Sequence, residues 1–327
     1  MGDRWDTLVN RGQTVSVDGV ETHYYDEGDG NETILLLHGG GLTSCAELNW
    51  GAVIDPLSEY CRTVALDQPG FGLTEPRGER DHLPRNRADF VVDFCRAVGV
   101  DSTTVVGNSR AGYQAAYLAL EYPNLIDGVV LVNAGSVSRK LTPDEVPGSL
   151  ESEEPTRESA RAFLEDFRDH HLVSPENHPL FRDEIPESAV DRVYEIQQRN
   201  WRWTNARSER IQTSAERLNQ ALSYDGRHIT EAVADVDQPT LITWGTRPYE
   251  GWPRRRDEPA DDPAPKTVEI RPETLPSYER DEGFDMGIRL FETIPTAELH
   301  VWHDALHHVM TDKRDRWTDV VSGFVTG

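Results

Sequence analysis

The stretch "STTVVGNSRAGYQAAYLALEY", Ser102 to Tyr122, joins an apolar run to a helical pattern through a single serine. Thr103 to Val106 reads as a strand buried on both faces, and from Ala111 onward small and apolar residues recur at helical spacing. Ser109 stands between the two, with Gly107 two residues before it and Ala111-Gly112 after it. A serine on so tight a strand-to-helix turn needs small neighbours, because its backbone is strained and the two elements pass close together. That geometry lifts the hydroxyl above the end of the sheet, where the helix N-terminus favours negative charge. The pattern G-x-S-x-A therefore nominates Ser109 as a nucleophile. An ordinary serine N-cap would need no small flanking residues.

Working outward, "QTVSVDGVETHYYDEG" is two alternating strands joined at Asp18-Gly19, a strong hairpin signal. Continuous apolar runs then recur in "TILLLHG", "RTVALDQ", "DGVVLVNAG", "PTLITWG" and "AELHVWH", separated by helical patterns such as Arg87 to Val98. Such alternation predicts a doubly wound, mostly parallel α/β sheet with an antiparallel hairpin at its N-terminal end. From about Val137 to Val236 the segments are helical and polar with no strong strand. This predicts a helical cap over 137–236, inserted after the sixth strand of a core built from 1–136 and 237–327. "GWPRRRDEPADDPAPKTVEIRPETLP", Gly251 to Pro276, reads as a long surface loop.

"LLLHGGG", Leu35 to Gly41, ends the first long apolar strand in three glycines. Backbone N–H groups in such a loop can bind a developing oxyanion, and larger side chains would block approach. The donors predicted are the N–H groups of Gly40 and of Arg110, the residue after the serine, with Gly39 and Gly41 on the substrate side. A dinucleotide site is a weak alternative: neither glycine cluster has the G-x-G-x-x-G spacing, and Asp67 lies inside the turn "DQPGFG". Near the C-terminus "AELHVWHDALHHVMTDK" offers four histidines. His300 falls within a strand and His303 ends it. His307 stands on the following loop, where a general base can reach Ser109, and His308 is its rival. No H-E-x-x-H spacing supports a metal site.

Composition excludes several classes. With 33 Lys plus Arg against 58 Asp plus Glu in 327 residues, the formal charge is -25, which repels nucleic acid and anionic lipid. Only Lys140, Lys266 and Lys313 are lysines, and an acid-rich, lysine-poor surface suits a protein kept soluble in molar salt, where charge repulsion is screened. A generic acidic protein is the plainer reading. Cys45, Cys61 and Cys95 fit neither a disulfide framework nor a zinc site and are expected to be buried free thiols. No run of 18 apolar residues exists and the start lacks a signal-peptide pattern, so the cytoplasm is the expected location. The expected partner is a small-molecule substrate without a cofactor; homo-oligomerisation stays open.

With these motifs in place the chain resembles an α/β-hydrolase over nearly its whole length. More narrowly, "LLLHGGG", "ALDQPGFG" and "VVGNSRAG" resemble the meta-cleavage product hydrolases, serine enzymes that split carbon–carbon bonds in ring-opened catechol products. "DRVYEIQQRN", Asp191 to Asn200, is similar to the cap helix in which that family places an arginine for the substrate carboxylate. The resemblance assigns that role to Arg192 and a site-lining role to Asn108. Ala111 stands for a glycine in the elbow, Leu306 for the glycine before the catalytic histidine, and Pro248 where the triad acid is expected. Counting forward from Gly245 gives Glu250 as a replacement; counting back from the helix "FDMGIRLFETIP" gives Glu279, favoured narrowly, with Asp281 or no acid behind them. The expected activity is serine hydrolysis, through an acyl-enzyme or gem-diol, of a keto-acid-like compound. A carboxylesterase or lactonase using the same residues is the runner-up, and a binding protein that has lost catalysis is the third reading.

Overall fold

A computed structural model describes residues 4–144, 153–182, 184–211, 213–245, 268–269 and 282–327. Its strands are β1 (Gln13–Val17), β2 (Val20–Glu27), β3 (Thr33–Leu37), β4 (Arg62–Leu66), β5 (Thr103–Asn108), β6 (Ile126–Val132), β7 (Ser223–Tyr224), β8 (Arg227–His228), β9 (Thr240–Gly245), β10 (Val268–Glu269) and β11 (Ala297–Trp302). Among the described residues one nine-stranded sheet runs β1-β2-β4-β3-β5-β6-β9-β11-β10. The pairs from β4 through β11 are parallel, while β1 with β2, β2 with β4, and β10 with β11 are antiparallel.

The sequence reasons hold locally. Asp18 and Gly19 both take positive φ, 48° and 79°, and close a two-residue hairpin with Val17 opposite Val20. Every residue of β5 and of β9 is buried, as a central strand covered on both faces requires. Side chains of β3 divide by the period of two: Leu35 and Leu37 join the core under the helices Pro84–Ala97, Ala111–Glu121 and Glu282–Thr293. Ile34 and Leu36 join the opposite core with Trp50, Leu57 and Trp317.

Between β6 and β9 the chain folds into the helices Arg157–His170, Glu187–Ile211 and Ala215–Ala221, with the small β7–β8 hairpin after them. Leu164, Phe167, Val193 and Ile196 of the first two helices continue the Trp50–Trp317 core upward. The end of the same segment behaves differently: Ile229, Val233 and Val236 pack into the core beside Tyr113 and Ala116. Within the stretch read as a surface loop, β10 adds two residues antiparallel to β11 at the sheet edge.

Candidate active site

The turn from β5 into the helix Ala111–Glu121 holds Ser109 at φ 55°, a left-handed conformation that costs a non-glycine residue about 1–3 kcal/mol. The Ser109 N–H is fixed by the Val132 carbonyl at 2.9 Å. Glycine is required where the elements touch. A Cβ on Gly107 would stand 2.5 Å from the Ala111 carbonyl oxygen, and one on Gly112 2.5 Å from the Ala134 Cβ. The extra methyl of Ala111 is accommodated, fully buried, because neither close approach falls on its own Cβ.

The glycine loop lies directly on this turn. A Cβ on Gly39 would come 3.3 Å from the Ser109 Cβ, and one on Gly40 2.8 Å from the Arg110 Cδ. Among the described residues neither the Gly40 N–H nor the Arg110 N–H has a hydrogen-bond partner, so both donors remain available. The loop is held from behind by the fully buried His38. Its Nε2 accepts the Gln68 N–H at 3.0 Å, which leaves Nδ1 protonated to donate to the Gly39 carbonyl at 2.9 Å. Asn49 Oδ1 accepts the Gly39 N–H at 3.4 Å, and Asn108 Nδ2 donates to the Val132 carbonyl at 3.1 Å.

The histidine loop is positioned by side chains from distant parts of the chain. Asn133, itself at φ 43°, donates to the carbonyls of Leu306 at 3.3 Å and His307 at 3.0 Å, and accepts the Gly245 N–H at 3.1 Å. Gly245 has to be glycine, since a Cβ there would stand 2.5 Å from the Ala305 carbonyl oxygen. Asp312 is 4% exposed and accepts three backbone N–H groups: Leu306 at 2.8 Å, Val173 at 2.6 Å and Ser174 at 3.1 Å. One carboxylate therefore ties the residue before His307 to the inserted segment. Burial raises the Asp312 pKa to about 6 despite those donors.

Ser109, Gly39, Gly40, Gly41, Asn108, His307 and His308 all line one cavity of ≈ 210 Å³, closed by Phe163 and Phe167 of the helix Arg157–His170, by His171 just after it, and by Asn49 and Cys45. Sequence reasoning missed His171, Asn49 and the supports His38, Asn133 and Asp312. Burial, with His171 nearby, lowers the His307 pKa to about 4, so its imidazole is neutral at ordinary pH and able to accept a proton. His308 is buried and shifted further in the same direction. His303 is exposed beyond the end of β11, and His300 lies within that strand.

Arg192 is not among the residues lining this cavity. Its Nε and Nη2 reach the two oxygens of Glu47 at 2.7 and 3.1 Å, and Tyr25 donates to the same carboxylate at 2.6 Å. Burial opposes the Arg192 charge, but the hydrogen bonds and charge of Glu47 outweigh it and the guanidinium pKa is raised. Arg192 stands on the helix Glu187–Ile211, and Glu47, 1% exposed, already accepts both of these hydrogen bonds. Glu250, Glu279, Asp281 and Pro248 lie outside the described residues. The three cysteines are free and buried.

Residues 32–248 match the family described as alpha/beta hydrolase fold, and the chain belongs to it. It is 24% identical over 322 residues to the 2-hydroxy-6-oxononadienedioate/2-hydroxy-6-oxononatrienedioate hydrolase 1 of Dechloromonas aromatica, covering 94% of this chain and 91% of that one. It is 32% identical over 168 residues to the 2-hydroxy-6-oxo-2,4-heptadienoate hydrolase of Pseudomonas putida, covering 50% and 59%. Among solved structures it is similar to the meta-cleavage product hydrolase of Pseudomonas fluorescens IP01, with a TM-score of 0.67 at 22% identity over 97% of this chain and 98% of that one.

Proposed function

We propose that the chain is a serine hydrolase acting on a small keto-acid-like compound, with carbon–carbon bond hydrolysis as its reaction. The observation that carries this reading is the strained Ser109 in one cavity with His307 and the unengaged N–H of Gly40, with that of Arg110 immediately after the serine. The names of the similar hydrolases support the substrate class. The inserted helices of 137–236 act as the cap.

Ser109 Oγ attacks the substrate carbonyl while His307 takes its proton, and the oxygen that gains charge is held by the Gly40 and Arg110 N–H groups. When the tetrahedral adduct collapses, the bond to the neighbouring carbon breaks. That carbon leaves with the electron pair and receives the proton from His307. Water, deprotonated by His307, then releases the acyl group from Ser109. In the gem-diol variant water attacks the carbonyl directly with the same base. For the triad acid we propose Glu279 ahead of Glu250, with Asp281 third; losing such an acid costs comparable triads about 10⁴ in turnover.

The test follows the loss of absorbance of a ring-opened dienoate in molar salt, the condition that the acidic composition suggests. Turnover is expected with the wild type and not with Ser109→Ala. Turnover of a para-nitrophenyl ester alone would transfer the assignment to the esterase reading. Because His307 acts as the neutral base, kcat/KM should be flat above roughly pH 5.5 and fall as pH drops through its pKa near 4. Glu279→Gln and Glu250→Gln, assayed alongside, separate the two acids by which one loses rate.

A further inference from the structure

After the helix Arg157–His170 the chain makes a stiff, largely buried turn. Leu172, Pro175, His178, Leu180 and Phe181 are all buried. A single helical turn, Pro175–Asn177, is closed by the N–H groups of Asn177 and His178 on the carbonyls of Ser174 and Pro175, at 3.1 and 3.0 Å. One end of this turn meets the histidine loop. Val173 and Ser174 donate their N–H groups to one oxygen of Asp312, whose other oxygen accepts that of Leu306, and Asn177 Nδ2 donates to the Thr311 carbonyl at 2.9 Å. The other end meets the opposite wall of the cavity, where His178 reaches the Leu48 carbonyl at 3.2 Å.

His178 is fully buried, and burial keeps its ring neutral at ordinary pH by lowering its pKa to about 4. Its Nδ1 accepts the Leu180 N–H at 3.2 Å, which fixes the tautomer: Nε2 carries the proton and donates to Leu48. Leu48 belongs to the helix Ala46–Trp50 and lines the cavity beside Asn49, whose Oδ1 accepts the Gly39 N–H. The start of this helix is fixed by the core, through Asp67 on the Ala46 N–H at 2.7 Å, whereas Leu48 is tied to the inserted segment. The Phe167 ring joins the two walls as well, with its centroid 6.4 Å from that of His178 and 5.0 Å from that of His308.

We propose that residues 173–178 form a strut that sets the spacing between the glycine loop and the histidine loop, with His178 and Asp312 as its positioning residues. The inference rests on the serine hydrolase reading of the cavity. That reaction requires the oxyanion donors and His307 to serve one substrate carbonyl, and a misplacement of about 1 Å is enough to cost about 100-fold. Each wall has an anchor of its own, Asp67 on one side and Asn133 on the other. The strut differs in being bonded to both, so a shift of either wall is opposed by the other. Catalysis then depends on where the inserted segment sits, and not only on what it covers.

The experiment follows hydrolysis of para-nitrophenyl hexanoate, with kcat expressed per site titrated by a fluorophosphonate so that unfolded molecules do not count. His178→Asn keeps an acceptor for the Leu180 N–H but is too short to reach Leu48, whereas His178→Gln reaches Leu48 and leaves Leu180 without its acceptor. In His178→Asn kcat per site should fall about tenfold with KM changed by about twofold at most, and His178→Gln should recover most of the loss. No fall in His178→Asn, an equal fall in both variants, or a fall confined to KM or to the number of titrated sites overturns the positioning role. A strut also couples its two ends. His178→Asn combined with Asp312→Asn should lose about 10- to 30-fold in kcat, and the roughly 100-fold product of two independent ties would overturn the strut. If wild type hydrolyses no ester, the serine hydrolase reading fails, and hydrogen exchange followed by mass spectrometry decides the strut alone. Exchange should then quicken at Leu306 in His178→Asn and at Gly39 in Asp312→Asn; quickening confined to the wall next to each substitution overturns the proposal.

Discussion

The nucleophile side and the histidine side of the cavity are built by different means. Ser109 is fixed by backbone sterics within a few residues of itself: Gly107 and Gly112 permit contacts that no other residue allows, and φ 55° is imposed by the strand and helix on either side. His307 is fixed by hydrogen bonds to Asn133, 174 residues away, and by Asp312, which also holds Val173 and Ser174. The first arrangement is rigid by packing, and its disruption should act mainly on stability. The second is a set of polar ties, and its disruption should act mainly on catalysis.

The largest stability effect is expected at Gly107→Ala, whose added Cβ meets backbone that cannot yield. It should cost about 3 kcal/mol, read as a lowered midpoint in urea unfolding. A midpoint like that of wild type would break the contrast from the packing side.

Asp312→Asn should cost about 2 kcal/mol, since an amide oxygen cannot accept all three N–H groups and its NH₂ would oppose one of them. Its loss in kcat on the ester assay should be about tenfold or more, through displacement of His307. The pH dependence separates the carboxyl from mere packing. With a folded pKa near 6, above that of the unfolded chain, Asp312 binds more protons when folded between roughly pH 4 and 6. Its contribution to stability is therefore present at low pH and is lost as pH rises through that window, by roughly 2–3 kcal/mol. The difference between wild type and Asp312→Asn should carry that slope.

The smallest effect is expected at Asn133, where two contributions can be separated. Asn133→Ala loses the ties to Leu306 and His307 and meets the left-handed backbone at φ 43°, together about 2 kcal/mol. Asn133→Gly loses the ties alone and should cost about 1 kcal/mol. Equal losses would mean that the polar ties alone govern the site, and no loss in Asn133→Gly would mean that the backbone conformation does.

The same contrast explains what was legible in the sequence. Gly107, Ser109, Gly112 and the glycines after Leu37 announce themselves because their reason is local, and the strands do so because burial on both faces demands unbroken apolar runs. His307 was recognisable from chain order. Its supports were not, because Asn133, Gly245 and Asp312 meet only after the sheet has formed. Arg192 sits on its cap helix as expected, yet its partner was hidden in "CAELNW", where Glu47 is the one acid of an otherwise apolar and amide helix. A buried carboxylate needs a cation, and that was the available signal. The edge strand β10 was masked by proline and charge around it.

The central claim is that Ser109 is a nucleophile activated by His307. Its most direct measurement is reaction of the folded protein with a fluorophosphonate, followed by mass mapping of the modified peptide. The account predicts stoichiometric phosphonylation of Ser109, abolished in Ser109→Ala and slowed by about 10⁴-fold in His307→Ala. Absence of modification in the wild type, or modification at another residue, would contradict it.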